Sequence, residues 1–255
     1  MSVRVGVTGA AGRMGRRVLG VLTARDDCEV TFAVNRSTDV ERVQGIEIES
    51  ALEINLLLEE RDPGAVIDFT GPESALEYAA ACAEAGVPFV TGTTGFSDDE
   101  TSQLEAYGDE IALLHSPNFA RGVQALLALV GDAVASLPGY DVELVETHHN
   151  GKRDAPSGTA NRLLEEIEAA GDFTDRVHGR EGEQPRTSGE IGVHALRAGN
   201  VTGEHEVVLA GNHEELRLTH RAEDRGVFAA GAVDAAVWLA GQEPGRYDFA
   251  EVLSA

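Results

Sequence analysis

The chain has 255 residues, and its 44 acidic and 20 basic residues give a formal net charge of −24. Contents of 42% hydrophobic and 25% charged residues are ordinary for a folded globular protein and exclude a disordered chain. No apolar run approaches the ~20 residues of a membrane-spanning helix, and the N-terminus enters a strand pattern without a basic leader, so we expect a cytoplasmic protein. The acidity argues against nucleic-acid and membrane partners, which are bound largely through lysine and arginine.

Lys152 is the only lysine, and the other 19 basic residues are arginines. At multimolar ionic strength the Debye length falls below about 3 Å, which screens repulsion between acidic side chains. Asp and Glu also hold water and ions better than Lys does. We therefore predict a protein adapted to high salt. An acidic protein from an ordinary medium would explain the charge but not the missing lysines.

The first half of the chain alternates short apolar strands with helical patterns, which predicts a parallel sheet covered by helices. The predicted strands are 2–8, 28–34, 65–70, 87–92 and 111–116, and the predicted helices lie within 13–25, 49–60, 73–86 and 97–108.

Beyond about residue 120 the pattern changes. It gives a helix within 118–137, a strand at 141–149, a helix at 158–170, a Gly-rich charged stretch at 171–190, strands at 191–199, 202–211 and 213–222, and an apolar helix at 226–241. Short turns between the last three strands indicate antiparallel pairing. The predicted fold class is α/β, with a doubly wound parallel sheet in residues 1–120, completed by 225–255. A smaller α+β domain with an open, largely antiparallel sheet is predicted for 121–224.

The segment Gly9-Ala10-Ala11-Gly12-Arg13-Met14-Gly15 follows the first predicted strand and opens a helix. Such a turn of small residues lets the backbone approach a pyrophosphate, whose charge meets the N–H groups and the positive end of the helix dipole. Ala11 takes the middle position of the usual G-x-G-x-x-G fingerprint, so a plain packing turn is the alternative. The strand, loop and helix context favours dinucleotide binding.

The second predicted strand ends in Asn35-Arg36, where the usual fingerprint carries an acid that binds the ribose hydroxyls. The absence of that carboxylate removes repulsion toward a 2′-phosphate, and Arg36 adds a cation that attracts one. These residues predict that NADPH is accepted and favoured over NADH. An ordinary exposed arginine is the alternative.

Two further strand ends carry the turns Gly92-Thr93-Thr94-Gly95-Phe96 and Ser116-Pro117-Asn118-Phe119. The carboxyl ends of parallel strands meet at one edge of a doubly wound sheet, where ligands bind. We expect both turns near the nicotinamide end of a cofactor.

The densest group of reactive side chains lies at 143–160, as a strand, a turn and a helix start. Asp154 or Ser157 is suited to cap that helix, and the amides of Gly158 and Thr159 would then bind an anion of carboxylate size. Lys152, Arg153, His148 and His149 supply cationic groups beside it. A chain that uses arginine elsewhere is expected to keep a lysine where proton transfer or a compact ammonium is needed. A polar loop without function is the alternative.

A metal interpretation of Glu146, His148 and His149 is also open, because all three are common metal ligands. The segment lacks H-E-x-x-H or a comparable helical spacing, so no metal is predicted.

The segment ELVETHHNGKRDAPSGTA at 143–160 resembles the 4-hydroxy-tetrahydrodipicolinate reductase (dihydrodipicolinate reductase) family of the diaminopimelate route to lysine. Supporting matches lie at 7–15, 66–73, 92–96, 117–123, 191–207 and 228–241. The resemblance covers essentially the full length in one order. It implies a Rossmann-like N-terminal domain completed by the C-terminal helix, and a middle segment that binds substrate and forms a homotetramer.

The resemblance also implies a role for each matching residue. His148 resembles the proton donor/acceptor of the family, Lys152 its general acid and His149 a substrate ligand, while Gly158 and Thr159 match the pair that holds a substrate carboxylate. The implied cofactor contacts are Gly9, Ala10, Ala11, Gly12, Arg13, Met14, Arg36, Gly92, Thr93, Thr94, Ser116, Pro117, Asn118 and Phe119. Asn35 departs from the acid that many members carry for the adenine ribose, whereas Arg36 fits the position that meets a 2′-phosphate.

The implied reaction is the NAD(P)H-dependent reduction of a cyclic dicarboxylate with a conjugated imine, by hydride transfer and protonation of the adjacent carbon. When the hydrated form is the substrate, loss of water comes first. Two other classes remain open. A two-domain dehydrogenase acting on a sugar or another carbonyl compound leaves the anion site at 157–159 unexplained. A non-catalytic dinucleotide sensor has no use for His148 and Lys152.

Overall fold

The computed structural model describes residues 2–37 and 39–254. The chain divides into two compact units. Unit 1 comprises the described residues up to Ala120 and from Arg225 onward, and unit 2 comprises Arg121–Asp224.

Unit 1 begins with alternating strands and helices. The strands up to Ala120 are β1 (Val3–Thr8), β2 (Cys28–Asn35), β3 (Arg42–Val43), β4 (Ile46–Glu47), β5 (Glu49–Ser50), β6 (Ala65–Asp68), β7 (Phe89–Thr91) and β8 (Ala112–His115). The helices are α1 (Arg13–Thr23), α2 (Ile54–Arg61), α3 (Pro72–Ala85) and α4 (Asp98–Ala106). Short 3₁₀ turns lie at Ala51–Glu53 and Tyr107–Asp109.

Unit 2 contains α5 (Arg121–Ser136), β9 (Asp141–His148), α6 (Gly158–Ala170), β10 (Asp175–His178), β11 (Glu190–Arg197), β12 (Gly203–Gly211) and β13 (Glu214–Ala222). The chain then returns to unit 1 with α7 (Gly226–Leu239), β14 (Gly245–Tyr247) and α8 (Phe249–Ser254).

The main sheet of unit 1 has the order β14-β8-β7-β6-β1-β2-β5 among the described residues, and every neighbouring pair is parallel. The strand order reverses between β1 and β6, and ligands of doubly wound sheets bind outside the carboxyl ends at such a point. The apolar α7 packs against α1 and the sheet. A Cβ at Gly231 of α7 would lie 1.8 Å from the Phe119 carbonyl oxygen, so only glycine permits this approach. The predicted parallel sheet is confirmed.

The sheet of unit 2 has the order β10-β11-β9-β12-β13 in the part of the chain that the structure describes. It is mixed, with antiparallel pairing of β12 to β9 and β13 and parallel pairing of β11 to β9 and β10. The predicted α+β class is confirmed. The turn pattern suggested that β11 and β12 form a hairpin, but β9 lies between them, because a turn signal is local and does not show which strand occupies the centre.

The central strand β9 alternates strictly between buried and half-buried residues from Val142 to His148. Its buried face carries Val142 and Leu144 and then, toward its end, Glu146 and His148. Helices α5 and α6 pack against each other, and they contact β13 and β9 respectively. The pleat that builds the core of unit 2 therefore also carries an acid and an imidazole into it.

Two predicted segments differ locally from the structure. The helix predicted within 49–60 begins only at Ile54, because Glu49 and Ser50 form β5 and Ser50 caps a 3₁₀ turn. The stretch 171–190, for which the sequence pattern indicated no strand, contains β10. None of the described helices is long and apolar enough to span a membrane.

Candidate active site

The glycine turn of unit 1 connects the end of β1 to the start of α1. Gly9 has φ +62°, and a Cβ there would lie 2.7 Å from Thr70 Cγ2. A Cβ at Gly15 would lie 2.2 Å from the Gly9 carbonyl oxygen. Gly12 is the N-cap of α1 and donates its N–H to the Gly9 oxygen at 2.9 Å. The turn is therefore a bare backbone cradle at a helix N-terminus, which fits the phosphates of a dinucleotide.

Other residues predicted to contact the cofactor lie at the carboxyl ends of β7 and β8. Gly92 packs so closely on Phe69 that a Cβ would lie 2.0 Å from its ring, while Thr93 is buried and Thr94 is exposed. Beyond β8, the Ser116 hydroxyl donates to the Asn118 carbonyl at 2.9 Å, and the Asn118 side chain accepts the Ala120 N–H at 2.8 Å.

Two residues of the Ser116–Phe119 turn differ in exposure. Pro117 is exposed. The side chain of Phe119 is buried among Phe69 and Phe249, with ring centroids 5.9 and 5.1 Å away. The Phe119 ring is therefore part of the core.

Asp68, at the end of β6, is a buried carboxylate that the sequence reasoning did not identify. Hydroxyl groups of Thr8 and Thr70 donate to its Oδ1, both at 2.7 Å, and those of Thr91 and Thr93 donate to its Oδ2 at 2.8 and 2.7 Å. Asp68 thus ties together the ends of β1, β6 and β7 at the point where strand order reverses. The sequence could have indicated this buried carboxylate, because Asp68 ends a strand and threonines lie at the ends of the neighbouring strands.

Arg36 follows β2 and is already paired. Its Nη2 lies 2.9 Å from Glu77 Oε2 and its Nη1 3.8 Å from Glu73 Oε2, both on α3. The Arg36 side chain is 54% exposed. The amide of Asn35 donates to the Ser37 carbonyl at 2.8 Å. Any 2′-phosphate that binds Arg36 must therefore compete with two carboxylates.

In unit 2, His148 ends β9 with its ring buried. Its Nδ1 lies 2.5 Å from Glu146 Oε2, and its Nε2 lies beside Gly203, where a Cβ would approach that nitrogen to 3.1 Å. Burial lowers the pKa of His148, although the hydrogen bond with Glu146 acts to raise it. The ring of His205 meets that of His148 edge-on, with centroids 5.2 Å apart.

Glu146 is completely buried and receives donors from Arg197 and Ser157 as well as from His148. Both Nη atoms of Arg197 bind it, at 2.7 and 2.9 Å, and the Ser157 N–H donates to it at 3.1 Å. Burial acts to raise the pKa of Glu146, but the hydrogen bonds from Arg197 and His148 outweigh it, and the pKa lies below its ordinary value. These partners replace the metal interpretation of Glu146, His148 and His149. No group of three His, Cys, Asp or Glu among the described residues could hold a metal.

The turn after β9 places Lys152 and the start of α6 near this pair. Lys152 Nζ lies 2.9 Å from Asp154 Oδ1, and its side chain is 22% exposed. The Ser157 hydroxyl accepts the Ala160 N–H and is the N-cap of α6, so Ser157, not Asp154, is the cap. Gly158 is exposed, whereas Thr159 and His149 are half-buried. Glu146 links His148 to the first turn of α6, and Lys152 lies in the segment between β9 and α6.

Three further residues of unit 2 were missed by the sequence reasoning. Arg197 lies on β11 beside His148, and Gly203 and His205 lie on β12. Burial, together with the nearby charge of His148, lowers the pKa of His205 to about 4, so this ring is neutral near pH 7. The alternation of apolar and polar residues along β9 could have revealed a partner such as Arg197. It places Glu146 on the buried face, and a buried carboxylate requires a cationic partner.

The reversal point of a parallel sheet, the glycine cradle and a separate unit with a His–carboxylate pair define a nicotinamide-dinucleotide-dependent oxidoreductase. Models of the dihydrodipicolinate reductase N-terminus and C-terminus match residues 3–119 and 122–253. The chain belongs to the dihydrodipicolinate reductase family.

Two relatives match over nearly their whole length. The 4-hydroxy-tetrahydrodipicolinate reductase of Haloarcula marismortui is 50% identical over 252 residues, which cover 99% of each chain. That of Natronomonas pharaonis is 52% identical over 252 residues, covering 98% of this chain and 100% of the relative. The solved structure of dipicolinate-bound dihydrodipicolinate reductase from Paenisporosarcina sp. TG-14 shares the fold, with a TM-score of 0.80, 24% identity and coverage of 97% and 98%.

Proposed function

We propose that this chain reduces 4-hydroxy-tetrahydrodipicolinate to tetrahydrodipicolinate with NAD(P)H, in the cytoplasm, as a step of the diaminopimelate route to lysine. The observation that carries the proposal is the composition of residues 146–159. This one segment combines a buried His–carboxylate pair, the only lysine of the chain and an exposed helix N-terminus.

The proposed substrate is a cyclic dicarboxylate, and unit 2 offers groups that suit it. The first turn of α6 presents Gly158 and Thr159 at the positive end of the helix dipole, where a carboxylate is stabilised. Lys152, Arg153 and His149 add cationic or hydrogen-bonding groups around that turn. On a chain with a net charge of −24 such a cluster is a local exception, which supports an anionic ligand here.

The nicotinamide, when bound by the glycine cradle of unit 1, would supply a hydride to the conjugated imine. Unit 2 must then deliver a proton to the adjacent carbon. Two groups suit that step: the Lys152 ammonium, and the His148 imidazolium acting from Nε2 while Nδ1 stays bonded to Glu146. When the hydrated substrate binds, the same groups would assist loss of water.

The test is oxidation of NADPH by the full chain with the freshly formed condensation product of pyruvate and aspartate semialdehyde. We expect turnover with this substrate and none with sugars. Pyridine-2,6-dicarboxylate, a planar mimic of the substrate, is expected to inhibit competitively. Absence of turnover with the condensation product would refute the proposed reaction.

In the same assay, Lys152→Met should lower kcat by about 10²-fold or more, because general acid catalysis contributes roughly that factor. Lys152→Arg keeps the positive charge but has no proton to transfer near neutral pH. It should therefore retain the substrate KM better than Lys152→Met while losing kcat similarly. Near-normal turnover by Lys152→Met would remove Lys152 from the mechanism.

We also propose that NADPH is preferred over NADH. Arg36 is exposed and follows β2, the position from which a 2′-phosphate is bound in doubly wound folds. Glu77 and Glu73 pair with Arg36 when no phosphate is bound. We therefore expect a smaller preference for NADPH than an unpaired arginine at this position would give.

Arg36→Gln should lower kcat/KM for NADPH by about 10-fold or more and leave NADH nearly unchanged, because a charge-assisted hydrogen bond contributes about 1.5–3 kcal/mol. Glu77→Gln should raise kcat/KM for NADPH a few-fold, because it removes a competing ion pair and an exposed ion pair contributes about that much. Glu84→Gln, on the same helix but exposed and away from Arg36, is the control for net charge. The preference would be contradicted if the unaltered chain had a kcat/KM with NADH many-fold above that with NADPH.

The charge of −24 leads us to propose adaptation to high salt. Thermal unfolding followed in 0.1 M and in multimolar KCl should show a Tm that rises with salt, because screening relieves repulsion among acidic side chains. Sucrose at matched osmolality, which does not screen charge, serves as the comparison. The same Tm in both KCl solutions would count against salt adaptation.

Membership of the family further supports a homotetramer, which we propose to form through the face of the unit 2 sheet opposite α5 and α6. Val145 and Val208 are half-buried there and Leu196 is 47% exposed. Light scattering in multimolar KCl should give the mass of four chains. Leu196→Glu should lower that mass if this face is the contact, and an unchanged mass would place the contact elsewhere.

A further inference from the structure

We propose that Glu146 is the positioning residue of the substrate site, holding both the ring of His148 and the first turn of α6. Glu146 has no exposed surface, and each of its oxygens has two donors. Oε1 accepts from Ser157 N at 3.1 Å and Arg197 Nη2 at 2.7 Å. Oε2 accepts from Arg197 Nη1 at 2.9 Å and lies 2.5 Å from His148 Nδ1. The inference rests on the proposed function and names the residue that organises its site.

The first consequence concerns the proton positions on His148. A carboxylate accepts hydrogen bonds and donates none, so Glu146 holds the proton of the ring on Nδ1. The nitrogen that gains and loses a proton is then Nε2, and Gly203, which has no side chain, leaves space beside it. Glu146 thereby decides which nitrogen of His148 meets the substrate.

The second consequence concerns the charge of His148. The groups that face it are Glu146 on the same strand, Arg197 on β11, His205 on β12 and Lys152 in the turn after β9. Among these, only Glu146 favours the imidazolium. Arg197 keeps Glu146 ionised by two hydrogen bonds, so the carboxylate does not take the proton itself.

The third consequence concerns the anion site. The Ser157 N–H binds Glu146, and the Ser157 hydroxyl caps α6 through the Ala160 N–H at 3.1 Å and lies 3.0 Å from His205 Nε2. The residues that would hold a substrate carboxylate, Gly158 and Thr159, follow directly in the chain. One carboxylate therefore fixes the spacing between the carboxylate site and His148, and misplacement by about 1 Å is enough to lower a rate strongly.

Glu146→Gln in the full chain tests the inference. We expect kcat to fall about 10- to 100-fold, the scale known for loss of the carboxylate partner of a metal-binding histidine. An acid is active below its pKa and inactive above it. Because Glu146 raises the pKa of His148, its loss should move the high-pH limb of the rate profile to lower pH.

A structural role alone would not change the tautomer of His148, so the second measurement reads it directly. With ¹⁵N-labelled histidine, two-bond ¹H–¹⁵N correlation spectra should show His148 protonated at Nδ1 in the unaltered chain. In Glu146→Leu, whose side chain has no acceptor for that proton, His148 should no longer be protonated there. The signal is assigned by its loss in His148→Gln. A kcat within two-fold of the unaltered chain, or an unchanged tautomer, would each overturn the inference.

Replacing Glu146 leaves the half-buried Arg197 against a neutral partner, which can itself destabilise the chain. The double variant Glu146→Leu/Arg197→Met removes both charges and the acceptor, and it should give the same changes in kcat and tautomer in a folded protein. Glu190→Gln is the matched control, because Glu190 is also buried in this sheet and bound by an arginine, Arg180, but at the far end of β11 from Arg197. It should leave the tautomer and kcat unchanged.

These outcomes separate the inference from the proposed function. If the unaltered chain does not oxidise NADPH with the condensation product, the proposed reaction fails, yet the spectra still report whether Glu146 sets the tautomer of His148. If the unaltered chain is active and Glu146→Gln is equally active, only the role of Glu146 fails.

Discussion

A carboxylate removed from water is tolerated only when donors surround its oxygens, and this requirement organises both units of the chain. Asp68 in unit 1 meets it with four threonine hydroxyls, and Glu146 in unit 2 meets it with an arginine, an imidazole and a backbone amide. In each case the donors come from separate elements. The residues that satisfy the carboxylate are therefore held in place by it, and both groups lie next to the predicted site residues.

The local parts of the fold and site could be predicted from the sequence because their signals are local. The glycine turn, the helix at 158–170 and the Lys152 segment each depend on neighbouring residues, and the structure places them where the pattern indicated. The pairing of Arg197 with Glu146 joins residues 51 positions apart, across strands whose order no turn signal encodes. The insertion of β9 between β11 and β12 escaped prediction for the same reason.

The preference for arginine also has a structural counterpart. Arg197 binds Glu146 through two nitrogens, and Arg176 binds Glu168 through two nitrogens at 2.6 Å each. A planar guanidinium matches a carboxylate in this way, whereas an ammonium is a compact point charge. Lys152, by contrast, pairs through its Nζ with the exposed Asp154. The residue with the compact cation thus lies in the segment where the substrate is proposed to bind.

The pair of Arg36 with Glu77 bears on how ionic strength acts on cofactor choice. Binding of a 2′-phosphate at an unpaired arginine creates an ion pair, and such an association weakens steadily as salt is added. At Arg36 the incoming phosphate would instead displace the nearby Glu77 carboxylate, so the new ion pair replaces one that already exists. Added salt weakens the ion pair that is broken about as much as the ion pair that forms, so it has little effect on this exchange. Discrimination between the two dinucleotides could then persist in a concentrated salt solution, where a newly formed surface ion pair would contribute little.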